Sequence, residues 1–153
     1  ARELVSWTRY PQKGVRGVIF GGAHDDYTGG ELAEKAEAAM ERTLVAALIE
    51  TKQGLENIDE IMAVDGIDVA HLGHADLSIS LGIPGQFDHP DLQRGIDTLV
   101  EVAEKHGKAA GAMAPSLEWG QDLMQRGYRM MSYNTDMALL GEALSSGIQA
   151  LKG

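Results

Sequence analysis

The sequence predicts an α/β protein with a parallel sheet, and three observations carry that prediction. From Thr43 onward, short apolar runs alternate with helical stripes, in the order of four strand-helix units with no linker and no clear repeat. The connections between runs are helix-length rather than two-residue turns, which parallel neighbours require. An acid also stands just past each of the first two runs, Glu50 after 44–49 and Asp76 after 67–72. Nineteen glycines suit a fold rich in short strand-to-helix turns.

Taken in order, Arg2 to Arg9 reads as a helix stopped by Tyr10-Pro11. Val15 to Phe20 is apolar and leads into the polar, glycine-rich loop Gly21 to Gly30. Thr28-Gly29-Gly30-Glu31 has capping-box spacing, so a helix is expected to start there and run to about Arg42. Leu44 to Ile49 and Ile67 to Leu72 are the first two strands. Leu55, Ile58, Ile61 and Met62 form the apolar side of a helix between them. The stretch after the second strand, through Gly85, reads as a loop. Asp88-His89-Pro90 caps the next helix, with proline in its first turn. That helix carries its stripe on Leu92, Ile96, Leu99, Val100 and Ala103. Lys108 to Met113 is a strand, Ser116 to Arg126 a helix stopped by Gly127, and Arg129 to Tyr133 the last strand. Met137, Leu140, Leu144, Ile148 and Leu151 make a final stripe, read as core or interface.

Composition narrows the function classes. A net charge of −10 and no basic run argue against a nucleic-acid partner or an acidic membrane surface. The absence of cysteine removes disulfides and zinc-thiolate sites. No apolar run reaches transmembrane length, and Ala1-Arg2-Glu3 is not a signal peptide, so a soluble cytoplasmic protein is expected. The 153 residues are enough for the core of one ordinary domain.

In a parallel α/β fold both acids emerge at the carboxyl end of the sheet, where such proteins bind ligands. Two carboxylates on adjacent strand ends suit a hard divalent cation, since magnesium and manganese take oxygen ligands alongside waters or substrate. The same spacing also fits Glu50 capping a helix and Asp76 opening a turn. His24-Asp25-Asp26 has metal-ligand residue types too, but an exposed loop tip is the preferred reading.

The stretch Ile49-Glu50-Thr51, Asn57 to Ile61, Gly66 to Asp68, Ala75 to Ser78 and Leu81 to Pro90 resembles the HpcH/HpaI family of class II, metal-dependent 2-oxo acid aldolases, macrophomate synthase-like members included. The likeness runs collinearly from Arg9 to about Leu140. It implies a (β/α)8 TIM barrel of which residues 1–153 form the C-terminal portion, roughly strands 5–8, with the earlier strands outside this sequence. It implies reversible aldol cleavage of a 4-hydroxy-2-oxo acid to pyruvate, or a similar 2-oxo acid, and an aldehyde. The divalent cation (magnesium or manganese, with cobalt a further candidate) is implied on Glu50 and Asp76, where it stabilises the enolate. The substrate carboxylate is implied at the backbone of Ala75 and Asp76, in the turn from Gly73 through His74. The family's arginine and its histidine base belong to the first half of the barrel, so this chain is expected to be catalytically incomplete alone. Homo-oligomers, hexamers by resemblance, are implied, the last helix packing on a neighbouring barrel.

Three positions depart from the family pattern. Leu48, two residues before Glu50 and on the same side of its strand, stands where many members have glutamine. His71 occupies a position that is usually aromatic, and His74 one that is usually proline or small. Each histidine reads either as a satisfied core or surface group or as a pocket residue, and His71 is the one candidate for proton transfer in this chain. Met113 is expected to line the pocket as a flexible apolar wall. Two other readings stand beside the aldolase: a condensing or decarboxylating enzyme on the same metal site, and a non-catalytic half-barrel module. Strand alternation puts Val45, Ala47, Val69, Met113 and Met131 on the barrel-facing side.

Overall fold

The computed structural model describes all 153 residues, Ala1 to Gly153. Helix α1 (Arg2–Thr8) opens the chain, followed by a short 3-10 turn at Ala23–Asp25 and helix α2 (Leu32–Arg42). Then come β1 (Ala46–Ile49), α3 (Lys52–Glu56), α4 (Ile58–Met62), β2 (Val69–Leu72), α5 (His74–Ser80) and α6 (Pro90–Lys105). The chain closes with β3 (Ala109–Ala114), α7 (Leu117–Arg126), β4 (Met130–Tyr133) and α8 (Asp136–Lys152). The four strands form one sheet in the order β1-β2-β3-β4, every pair parallel. This is the expected α/β architecture. No helix is long and apolar enough to cross a membrane.

Local signals account for most boundaries. His89 caps α6 by accepting the Asp91 N–H on Nδ1, with Pro90 next in line. Ser116 and Thr135 cap α7 and α8 through hydroxyls that accept the Trp119 and Ala138 N–H groups. Gly127, at φ 111°, ends α7 in the left-handed conformation that glycine takes most easily. Three expectations change. The stretch after the second strand, expected to be a loop, opens as helix α5, which buries Leu77 in the core. Thr28 does not cap α2; its hydroxyl bonds the Asp25 carbonyl instead, and the helix begins behind Glu31. The single helix expected between the first two strands is two short ones, divided at Asn57, whose side chain donates to the Gln53 carbonyl and competes with the helical ladder.

The core lies between the sheet and helices α4 to α7. Leu92, Ile96, Leu99 and Ala103 of α6 are fully or almost fully buried, against Ala70, Leu72, Ala110 and Ala112 of the sheet. Burying each large side chain in this stripe is worth about 1.5–3 kcal/mol. Small alanines on the strands let α6 lie close to the sheet.

The two faces of the sheet differ. On β1 the helix-covered side takes Ala47 and Ile49, with Val45 just before the strand, and on β4 it takes Met131. Val45, Ala47 and Met131 therefore do not face the way strand alternation was expected to turn them. β1 is apolar at all four positions, so its sequence carries no alternation to choose a side. Val69 and Met113 do lie on the other face, with Leu48, His71, Gly111 and Met130. Leu48 is 54% exposed there and Met130 38%, so this face lacks a covering layer.

Candidate active site at the carboxyl end of the sheet

β1 delivers Glu50, and β2 delivers Gly73 and then helix α5, which carries Asp76 in its first turn. Gly73 is the contact between the two units. A Cβ at this position would lie 2.6 Å from Glu50 Cβ, 3.2 Å from Glu50 Oε2 and 3.4 Å from Leu48 Cδ1. Glycine here lets the second strand's end close against the first acid. Glu50 is half-buried and Asp76 exposed, and neither carboxylate has a hydrogen bond or ion pair within the chain. Ala75, between His74 and Asp76, is exposed.

Register organises the uncovered face into rows. Leu48, His71, Gly111 and Met130 are successive ladder partners across all four strands. One step toward the carboxyl ends lie Glu50 and Gly73, with Met113 paired to Ser132. The His71 ring sits against Gly111, where a Cβ would come within 3.2 Å of its Cδ2 and 2.9 Å of Val69 Cγ1. Gly111 is thus a close-approach glycine in a strand interior. Burial lowers the pKa of His71, partly opposed by a hydrogen bond with the Leu72 backbone, so the ring favours its neutral form.

His74 is placed differently. It is buried at the first position of α5, its ring 4.6 Å from Trp119 and 5.2 Å edge-on from Phe87 by centroid. Burial lowers its pKa, with the Asp76 charge opposing. His74 therefore joins an aromatic cluster linking the turn after β2 to the start of α7, which the sequence reading did not find. The hydroxyl of Ser80 was also missed; it accepts the Lys52 N–H at 2.9 Å and so ties α5 to the turn after β1. The four-residue spacing from Asp76 to Ser80 was its only signal in the sequence.

His24-Asp25-Asp26 is not gathered as a metal site, and it is not wholly a loop tip either. His24 and Asp26 are exposed, but Asp25 is buried and accepts the Gly21 N–H at 2.9 Å and Lys35 Nζ at 2.6 Å. These bonds, the Gly21 N–H foremost, lower its pKa to about 2.

No group of three or more His, Cys, Asp or Glu side chains converges on one point. Two unpartnered carboxylates, an all-oxygen donor set and a glycine that leaves one carboxylate uncovered still fit a magnesium-type ion, which completes its shell with waters and substrate oxygens.

The chain is 39% identical over 152 residues to the 2-keto-3-deoxy-L-rhamnonate aldolase of Klebsiella pneumoniae subsp. pneumoniae, an alignment covering 99% of this chain and 57% of that relative. The chain thus spans somewhat over half the length of the curated relatives it matches. Among solved structures, an HpcH/HpaI aldolase from Desulfitobacterium hafniense DCB-2 superposes with a TM-score of 0.90 at 30% identity, over 99% of this chain and 58% of that one. Citrate synthase SbnG superposes with a TM-score of 0.82 at 28% identity, over 99% and 57%. The family model described as HpcH/HpaI aldolase/citrate lyase matches residues 1–143, and the chain belongs to that family.

Proposed function

We propose that residues 1–153 are the C-terminal half of a (β/α)8 barrel, strands 5–8 with their helices, in a metal-dependent aldehyde-lyase. The reaction is reversible cleavage of a 4-hydroxy-2-oxo acid to pyruvate, or a similar 2-oxo acid, and an aldehyde. The observation that carries this reading is the meeting of Glu50 and Gly73 at the carboxyl end of the parallel sheet, three residues before Asp76. The 2-keto-3-deoxy-L-rhamnonate aldolases among the relatives support the substrate class.

In this reading Glu50 and Asp76 hold magnesium or manganese, with cobalt a further fit. The cation supplies positive charge where the 2-oxo and carboxylate oxygens of the substrate gather negative charge. Gly73 adds no side chain of its own to the approach to Glu50. The backbone N–H groups of Ala75 and Asp76, with Gly73 and His74 shaping the turn, receive the substrate carboxylate. Leu48 and Met113 form apolar walls. His71, neutral beside them, supplies one polar contact for a substrate hydroxyl. The C3–C4 bond breaks as the C4 hydroxyl loses its proton, and the electron pair left on C3 is protonated to give the 2-oxo acid. The arginine and histidine that serve these steps by family resemblance lie outside this chain. A homo-oligomer, a hexamer by resemblance, acting in the cytoplasm completes the proposal.

A condensing enzyme on the same site is the second reading, supported by the fit of citrate synthase SbnG. A lactate dehydrogenase-coupled pyruvate assay over a panel of 4-hydroxy-2-oxo acids separates the two. Residues 1–153 alone are expected to give no turnover. The protein including the preceding half is expected to give metal-dependent turnover that Glu50→Gln and Asp76→Asn abolish along with manganese binding. Metal-dependent turnover by 1–153 alone would contradict the half-barrel. Absence of turnover from the longer protein on every panel member would shift the assignment to condensation.

A further inference from the structure

Helix α5 is held against the turn after β1 at both of its ends, and Asp76 lies between the two holds. The first is Gly73, whose backbone presses on Glu50 so closely that a methyl group there would meet its Cβ at 2.6 Å. The second is the Ser80 hydroxyl, accepting the Lys52 N–H at 2.9 Å across 28 positions of sequence. Lys52 is the first residue of α3, so its N–H has no partner inside that helix. Thr51, the α3 cap, spends its hydroxyl on the Gly54 N–H and leaves Lys52 to Ser80. Lys52 follows Glu50 by two residues, and Ser80 follows Asp76 by one helical turn on the same face. Ser78, by contrast, donates to the Ala75 carbonyl and accepts from the Gly85 N–H, bonds that stay within its own strand-helix unit.

We infer that Ser80 is a positioning residue for the divalent cation: by capping the first N–H of α3 it fixes the helix bearing Asp76 relative to the turn bearing Glu50. The inference rests on the proposed metal role of those two carboxylates. A carboxylate pair of this kind binds a cation well only when the two groups are already spaced for it, since the ion would otherwise have to order two independent segments. Ser80 touches neither the ion nor the substrate, and acts through Asp76.

The test is manganese affinity by calorimetry, in the protein including the preceding half-barrel. Ser80→Ala removes the acceptor. Lys52→Pro removes the donor at a helix N1 position, where proline is well tolerated, and Thr51 already has the extended backbone that proline asks of its predecessor. Each is expected to weaken manganese binding by about fivefold to tenfold, the double variant being no worse than either single one. Ser80→Thr, which keeps the hydroxyl, is expected to remain within about twofold of the parent. Parent-like affinity in both single variants, additive losses in the double, or an equal loss in Ser80→Thr would overturn the inference. If Ser80→Ala fails to give a normal melting curve, Lys52→Pro against Ser80→Thr decides it alone. Glu50→Gln serves as the reference. Loss of manganese there with no change in Ser80→Ala removes only the role of Ser80, whereas parent-like binding in Glu50→Gln removes the metal site itself.

Discussion

Gly73 and Glu50 are packed so that position 73 admits no side chain: a Cβ would come within 2.6 Å of Glu50 Cβ, well inside van der Waals contact. The two residues sit at the ends of neighbouring parallel strands, and the β2 end bonds its partner through the Gly73 N–H to the Ile49 carbonyl at 3.0 Å. Gly73→Ala must therefore push the Glu50 side chain or part the strand ends. We expect it to destabilise the protein by about 1–3 kcal/mol, as overpacking does, and to weaken manganese binding beyond what Ser80→Ala does. Thermal melting and calorimetry check this, and unchanged values in both would show that the strand ends yield freely.

Asp25 makes the loop before α2 acid-sensitive. Its folded pKa, about 2, lies below the ordinary carboxylate value, held there by the Gly21 N–H and by Lys35. A depressed acid stabilises the fold above its unfolded pKa near 4, and that contribution fades as pH falls through about 2. Protection factors for amide exchange in residues 21–30, taken relative to the unstructured rate at each pH, are expected to fall across this window. Asp25→Asn should leave these amides with low protection factors that hardly change with pH, and strong, parent-like protection in that variant would contradict the assignment.

Tyr128 acts in the alkaline range. It is 3% exposed, and its hydroxyl donates to the Ile96 carbonyl at 3.1 Å. Burial pushes its pKa above the ordinary value of about 10. The neutral phenol is the form the fold accepts, so its contribution is whole below about pH 10 and is lost as pH rises beyond that. Tyr128→Phe should cost about 1 kcal/mol at neutral pH for the lost hydrogen bond and flatten the alkaline decline in melting temperature. A decline as steep as the parent's would place the alkaline transition elsewhere.

Helix α8 buries none of its 17 residues. Met137, Leu140, Leu144, Ile148 and Leu151 are each more than half exposed, and covering each such side chain is worth about 1.5–3 kcal/mol. Deleting the residues after Asp136 is expected to give smaller particles or insoluble protein. Light scattering showing an unchanged, soluble assembly would argue that the stripe contacts nothing.

The sequence by itself determined the order of the four strands and of the long helices between them, because each is written in a local period: the α6 stripe from Leu92 to Ala103 is buried as read, and Ser116 and Gly127 bound α7 as read, whereas the short α5 and the split into α3 and α4 were not legible. It also determined which acids follow the first two strands, and thereby the end of the sheet to inspect. The tertiary structure alone decided what depends on distant partners. The four residues of β1, Ala46 to Ile49, are apolar throughout, so only packing into the common core could turn Ala47 and Ile49 inward and Leu48 away. Asp25 reads as part of a polar loop until Lys35, ten residues on, is brought to 2.6 Å from it. His74 depends on Trp119 and Phe87, and Ser80 on a backbone N–H 28 residues away. Local periodicity reports which way a segment folds, but a contact between segments exists only once the sheet has set them side by side.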